Sequence, residues 1–179
     1  MRLTDTAAII TGGASGLGEA TARHFRDQGA QVTILDRDSD RGETVAHDIG
    51  ATFVETDVTD EASVQHAVAT ALSHMGKITA AVNCAGIATG EKTLGKNGPH
   101  DLAAFRRTID INLVGSFNVA RLAADEIAKN APGTNGERGV IINTASIAAF
   151  DGQKGQAAYA ASKGGIAGLS LPMPRDLAR

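Results

Sequence analysis

The feature that most limits how this chain can fold is its alternation of short β-type apolar runs with segments of helical spacing. Ala7 to Thr11 is such a run, and the glycines after it lead into Leu17 to Gln28, where Leu17, Ala20 and Phe25 keep helical spacing. Gln31 to Leu35 repeats the pattern and closes on Asp36, and Val45 and Ile49 mark a helix that starts near Ser39. Thr52 to Glu55 predicts a third strand. Val64, Ala67, Val68, Ala71, Leu72 and Met75 then share one helical face, with Asp60 and Glu61 at its electropositive start. A fourth strand is expected over Thr79 to Asn83, followed by a long polar loop. Leu102, Phe105, Ile109, Leu113, Ser116, Ala120, Ala123 and Ile127 mark one long helix. A fifth strand spans Gly139 to Asn143, and a last helix runs from Ala157 to Leu171, where Pro172 and Pro174 should end or kink it.

Strands separated by helices pair in parallel, because parallel neighbours need crossover connections and those connections are right-handed. The chain is therefore expected to be α/β, a doubly wound parallel sheet of Rossmann type in a single domain over residues 1–179. With 42% apolar residues in 179, it can bury its own core. A net charge of −3 offers no general cationic surface for a nucleic acid backbone, so no nucleic acid partner is expected. No apolar run has membrane-spanning length, so no membrane partner is expected either. One cysteine, Cys84, cannot form an internal disulfide, and no signal-peptide pattern occurs, which together predict a cytoplasmic location. The five histidines lack metal-ligand clustering, and no metal is expected.

Doubly wound sheets bind ligands beyond the carboxyl ends of their strands, so the residues after each strand matter most. Thr11-Gly12-Gly13-Ala14-Ser15-Gly16-Leu17-Gly18 puts Gly12, Gly16 and Gly18 where a backbone turns sharply, approaches a pyrophosphate and packs on the sheet. Asp36 at the end of the second strand can accept hydrogen bonds from both adenosine ribose hydroxyls and repels a 2′-phosphate, which favours NAD; the adjacent Arg37 could instead hold that phosphate. Asp57 and Val58 offer adenine a carboxylate and an apolar wall, although Asp57 reads equally as a turn or cap residue. Asn83-Cys84-Ala85-Gly86 supplies the small side chains a loop needs beside a flat cofactor, and an ordinary strand-to-loop turn would look similar. Without a nearby histidine or basic pair, Cys84 is not expected to act as a nucleophile.

The most selective group lies further on. Ser146 follows the fifth strand, Tyr159 comes thirteen residues later, and Lys163 stands one helical turn beyond it on the same face. Tyr159 is the only tyrosine, and with six lysines in 179 residues a lysine at its +4 position has a chance probability of ~0.03. An ammonium about 4 Å from a phenolate stabilises it by ~4 kcal/mol at an effective dielectric of ~20, enough to make a usable general base. Ser146 would then hydrogen-bond a carbonyl or alkoxide oxygen. Asn112, a poor helix former inside the long helix, suggests a local distortion with a water relay.

Thr11-Gly-Gly-Ala-Ser-Gly-Leu-Gly18, Asp57-Val58, Asn83-Cys-Ala-Gly86, Asn112, Ser146 and Tyr159-x-x-x-Lys163 together resemble the short-chain dehydrogenase/reductase family over nearly the whole chain. The wording of Val140-Ile-Ile-Asn-Thr-Ala-Ser146 and Gly155-Gln-Ala-Ala-Tyr159 resembles the branch acting on 3-hydroxyacyl-CoA. The resemblance implies NAD-dependent interconversion of a secondary alcohol and a ketone, with 3-hydroxyacyl-CoA as the leading small-molecule substrate and steroid-like alcohols as secondary ones. It implies cofactor contacts at Ser15, Leu17, Asp36, Asp57, Val58, Cys84, Tyr159 and Lys163, extended by the neighbouring Ala85 and Gly86. It also implies that Ser146 and Tyr159 bind substrate, that Asn112, Ser146, Tyr159 and Lys163 form the catalytic group, and that the protein is a homo-oligomer through its long helices. The loop from Ala88 to Asp101 carries Lys92 and Lys96, which could meet CoA phosphates or simply be solvated. Chains of this family normally continue beyond this point with two more strands and a substrate lid. This chain is therefore expected to be a fragment or a form with impaired turnover, and the outer edge of its last strand to be unpaired.

Overall fold

The structure is a computed structural model that describes residues 1–178. Its strands are β1 (Ala7–Thr11), β2 (Gln31–Asp36), β3 (Thr52–Glu55), β4 (Ala80–Asn83), the two-residue pair β5 (Leu94–Gly95) and β6 (Gly98–Pro99), and β7 (Val140–Asn143). The helices are α1 (Gly16–Asp27), α2 (Ser39–Ile49), α3 (Glu61–Met75), α4 (Leu102–Ile109), α5 (Ser116–Ile127), α6 (Ala157–Leu169) and α7 (Pro172–Leu177).

Five strands form one sheet in the order β3-β2-β1-β4-β7, and every pairing in it is parallel. The doubly wound α/β fold read from the sequence is thus the observed one. Both sheet faces are covered, so alternate residues of one strand enter different cores. Ile9, Leu35 and Ala81 pack with Val64, Val68, Val119 and Ile127 of α3 and α5. Ala8, Ile10, Val32, Ile34 and Val82 face the other way, toward Ala22 of α1 and Val45 of α2.

Helix boundaries follow local chemistry. Asp60 caps α3 by accepting from the Ala62 and Ser63 amides, and Asp38 and Asp101 cap α2 and α4 in the same way. Gly50 and Gly76 end α2 and α3 in the left-handed conformation.

Three expectations need correction. The long helix between Leu102 and Ile127 is two α-helices joined by a π-helical segment, Asp110–Gly115, centred on the suspected Asn112. The last helix stops at Leu169 rather than Leu171, and Pro172 starts α7, where a missing amide donor costs nothing. The long loop after β4 contains the β5–β6 hairpin, whose two-residue strands carry no detectable period. As expected, β7 has no outer neighbour among the described residues, and Val140 and Ile142 on it are exposed. Among the described residues no helix is long and apolar enough to cross a membrane.

Candidate active site

Chain order runs outward from β1 in both directions, to β2 and β3 on one side and to β4 and β7 on the other. The carboxyl ends of β1 and β4 are therefore the point where the strand order reverses, the place where sheets of this kind bind ligands. Gly12 turns there with φ +66°, and a Cβ on it would meet the Ala85 amide nitrogen at 2.8 Å. Gly18 sits deeper, where a Cβ would lie 2.1 Å from the Gly12 carbonyl oxygen. Gly16, at φ +55°, has nothing within 4 Å of its Cβ position, and Leu17 beside it is 70% exposed. Ser15 gives α1 no side-chain cap, so the first amides of this helix remain open to an anion. The loop thus leaves the Gly16 turn and the first α1 amides uncovered.

Thr11, which the sequence reading took only as part of the glycine motif, fixes the facing loop. Its hydroxyl oxygen accepts the Cys84 and Ala85 amides, each at 3.1 Å. Cys84 is half-buried, and its Sγ lies 3.7 Å from the Thr144 hydroxyl. Asp36 accepts the Ala14 amide on one carboxylate oxygen at 3.0 Å and the Asp38 amide on the other at 3.1 Å. It therefore anchors the glycine loop at the edge of β2 while keeping lone pairs for further donors. Asp57 does form the turn considered for it: it accepts the Thr59 hydroxyl at 2.7 Å and the Thr59 amide at 2.9 Å. The Thr59 hydroxyl bond, aided by Arg37, holds its carboxyl below the ordinary aspartate value. Arg37 reaches toward Asp57 at 3.7 Å, so its guanidinium already has a carboxylate neighbour. Val58 is buried against Gly115 of the π-helical segment.

Tyr159 and Lys163 share one face of α6, with the ammonium 5.8 Å from the centre of the phenol ring. Lys163 is buried, and Nζ donates to the Thr144 carbonyl oxygen at 2.6 Å. Burial pushes its ammonium below the ordinary lysine value, with Cys84 opposing. Sequence gave no sign of the Thr144 anchor, because any residue can supply a carbonyl.

Ser146 is half-buried and starts the short 3₁₀ turn Ile147–Ala149, its Oγ accepting the Ala148 amide at 3.1 Å. That bond uses an acceptor site only, leaving the hydroxyl proton free to donate. The segment after Ser146 packs closely on α6, since a Cβ on Gly152 would lie 2.9 Å from the Ala160 Cβ.

Asn112 is fully buried. Its Oδ1 accepts the Ile87 amide at 2.8 Å, and its Nδ2 donates to the Ile87 carbonyl at 2.9 Å and to the Ser162 hydroxyl at 3.0 Å. Ser162 in turn donates to the Tyr159 carbonyl at 2.7 Å. Asn112 bonds neither the Tyr159 nor the Lys163 side chain among the described residues, so it acts as a clasp joining the β4 loop, the π-helical segment and α6. Ser162, not singled out from sequence, completes this clasp. Asn112→Ala is expected to destabilise the fold by about 2–4 kcal/mol, through several orphaned buried partners and a cavity, as read by denaturant unfolding. A change below ~0.5 kcal/mol would remove the clasp from the account.

A doubly wound parallel sheet with a glycine turn after β1 and the Tyr159–Lys163 pair on α6 is a Rossmann-type domain with the residue set of an oxidoreductase. A family model described as short chain dehydrogenase matches residues 6–179, and the chain belongs to that family. It is 54% identical over 175 residues to 3-hydroxyacyl-CoA dehydrogenase type-2 of Homo sapiens, covering 96% of this chain and 67% of that protein. The protein of the same name from Drosophila melanogaster is 50% identical, with 98% of this chain and 70% of the relative covered. A crystal structure of 3-hydroxyacyl-CoA dehydrogenase type-2 from Mycobacterium avium superimposes with a TM-score of 0.91 at 44% identity, over 97% of this chain and 69% of that one.

Proposed function

We propose that this oxidoreductase uses NAD to interconvert a secondary alcohol and a ketone, with 3-hydroxyacyl-CoA and 3-oxoacyl-CoA as the substrate pair. The observation that carries the reading is Lys163 held over Tyr159 on α6, with the Ser146 segment packed against the same helix. The names of the relatives support the thioester. The open amides of α1 and the turn at Gly12 fit a pyrophosphate, Asp36 fits the ribose hydroxyls, and Asp57 and Val58 border the adenine position.

When bound, the nicotinamide supplies the hydride acceptor or donor. Ser146 donates its free hydroxyl proton to the substrate oxygen and steadies charge developing there. Tyr159 takes the alcohol proton at its phenolic oxygen and returns it in reduction, while Lys163 stabilises the phenolate. Asp36 and the Arg37–Asp57 contact support NAD over its 2′-phosphorylated form. Val114 and Phe117, apolar and exposed on the long helical run, support assembly of like copies there. Lys92 and Lys96 on the hairpin loop are both exposed and make no ion pair among the described residues, which fits contact with CoA phosphates.

Adding acetoacetyl-CoA to the chain with NADH should lower absorbance at the nicotinamide band, and NADPH should support turnover at least ~10-fold more weakly, one misplaced charge being worth about 1.4 kcal/mol or more. Binding of NADH without turnover would make the chain a non-catalytic dinucleotide-binding subunit, and equal use of both cofactors would overturn the NAD reading.

A further inference from the structure

Outside the groups assigned above, Glu91 has an unusual concentration of contacts. It lies in the loop between β4 and α4, far in sequence from α6, yet its amide donates to the Gly155 carbonyl at 2.8 Å, and it bridges Gln156 in parallel register. Gln156 is the residue from which α6 starts, three positions before Tyr159. Gly155 makes the turn into this contact at φ +86°.

The Glu91 carboxylate secures the other end of the loop. One oxygen accepts the Asp101 amide at 2.8 Å, and Asp101 caps α4 through the Ala103 and Ala104 amides. The second oxygen faces the His100 ring, with Nε2 at 3.7 Å, while Nδ1 of the same ring lies 3.2 Å from the Glu91 carbonyl oxygen. His100 Nε2 is buried with no hydrogen-bond partner among the described residues, and the ring packs edge-on against Phe105 of α4. One residue therefore joins the start of α4, the hairpin loop and the start of the helix that carries Tyr159.

We propose that Glu91 is a positioning residue for Tyr159: its carboxylate pins the loop backbone to the α4 cap, and its backbone then sets where α6 begins. The inference rests on Tyr159 being the proton relay. A displacement of about 1 Å at a reacting group can cost up to ~10²-fold in rate, so slack at this joint should be visible in turnover. An amide oxygen can accept the Asp101 bond as a carboxylate does, so Glu91→Gln should preserve the joint while Glu91→Ala breaks it.

Tyr159 is the only tyrosine and the chain has no tryptophan, so intrinsic fluorescence reports this side chain alone. The test is acrylamide quenching of that fluorescence in the full chain and in both variants, beside steady-state kinetics with NADH and acetoacetyl-CoA. Glu91→Ala is expected to raise the quenching constant roughly twofold and to lower kcat by ~10-fold to ~100-fold, with little change in the KM for NADH. Glu91→Gln should return both to within about threefold of the original. Unchanged quenching in Glu91→Ala, or failure of Glu91→Gln to restore it, overturns the proposal. If the unaltered chain shows no turnover, the dehydrogenase reading fails on its own, and the quenching comparison still decides whether Glu91 holds Tyr159.

Discussion

Tyr159→Phe should lower turnover of a 3-oxoacyl-CoA by about 10²-fold to 10⁴-fold while leaving the dissociation constant for NADH within about threefold. The argument is geometric. The phenolic hydroxyl makes no hydrogen bond to any described residue, so its removal orphans nothing, and the ring that lies 5.8 Å from the Lys163 ammonium remains in place. Stability should therefore change by less than ~0.5 kcal/mol, and the loss should fall on kcat. Stopped-flow absorbance for turnover and fluorescence titration for binding separate the two. Residual activity above one tenth of the original would mean that another group moves the proton.

Gly18→Ala should damage the fold and the dinucleotide site together. The added Cβ would lie 2.1 Å from the Gly12 carbonyl oxygen and 3.0 Å from the Gly13 amide nitrogen, both backbone atoms in the turn at the end of β1. Either α1 moves away from the sheet or the turn opens. Overpacking of this kind costs about 1–3 kcal/mol, a fall in Tm of roughly 2–4 °C per kcal/mol for a domain of this size. NADH affinity should drop at least ~10-fold, since the α1 amides would leave their positions. Gly16→Ala is the control for overpacking in the stability measurement. Nothing stands within 4 Å of its Cβ position, so only the strain of φ +55° is added, about 1–2 kcal/mol, with the turn left intact. Equal thermal stability and affinity in Gly18→Ala and the unaltered chain would show that the close approach is not needed.

What could be read before the structure was known follows from where information resides in a sequence. Ile9 and Ile10 point into different cores, so β1 must be apolar at consecutive positions, and such a run bounded by glycine reads as a central parallel strand. Val64, Ala67, Val68 and Ala71 face one core, so their spacing alone located α3. Tyr159 and Lys163 were legible because both belong to one helix, where separation in sequence fixes separation in space. Interactions between distant segments left no such trace. The Thr11 hydroxyl serves Cys84 and Ala85, the Thr144 carbonyl holds Lys163, and Glu91 meets Gly155, each across 19 residues or more. The unusual Asn112 marked a distortion in the right place, but its partners Ile87 and Ser162 lie 25 and 50 residues away.

The π-helical segment Asp110–Gly115 joins the two halves of the long helical run. A π turn takes one residue more than an α turn, and each residue of an α-helix rotates the chain by about 100°. Deleting a single position between 110 and 115 would let the run close as an unbroken α-helix, and because five α residues turn the chain by about as much as six π residues, the later side chains would keep their faces. Val119, Ala123 and Ile127 would stay in the core, and the cost of a one-residue gap would fall on the widened turn itself, where Asn112 meets Ile87 and Ser162.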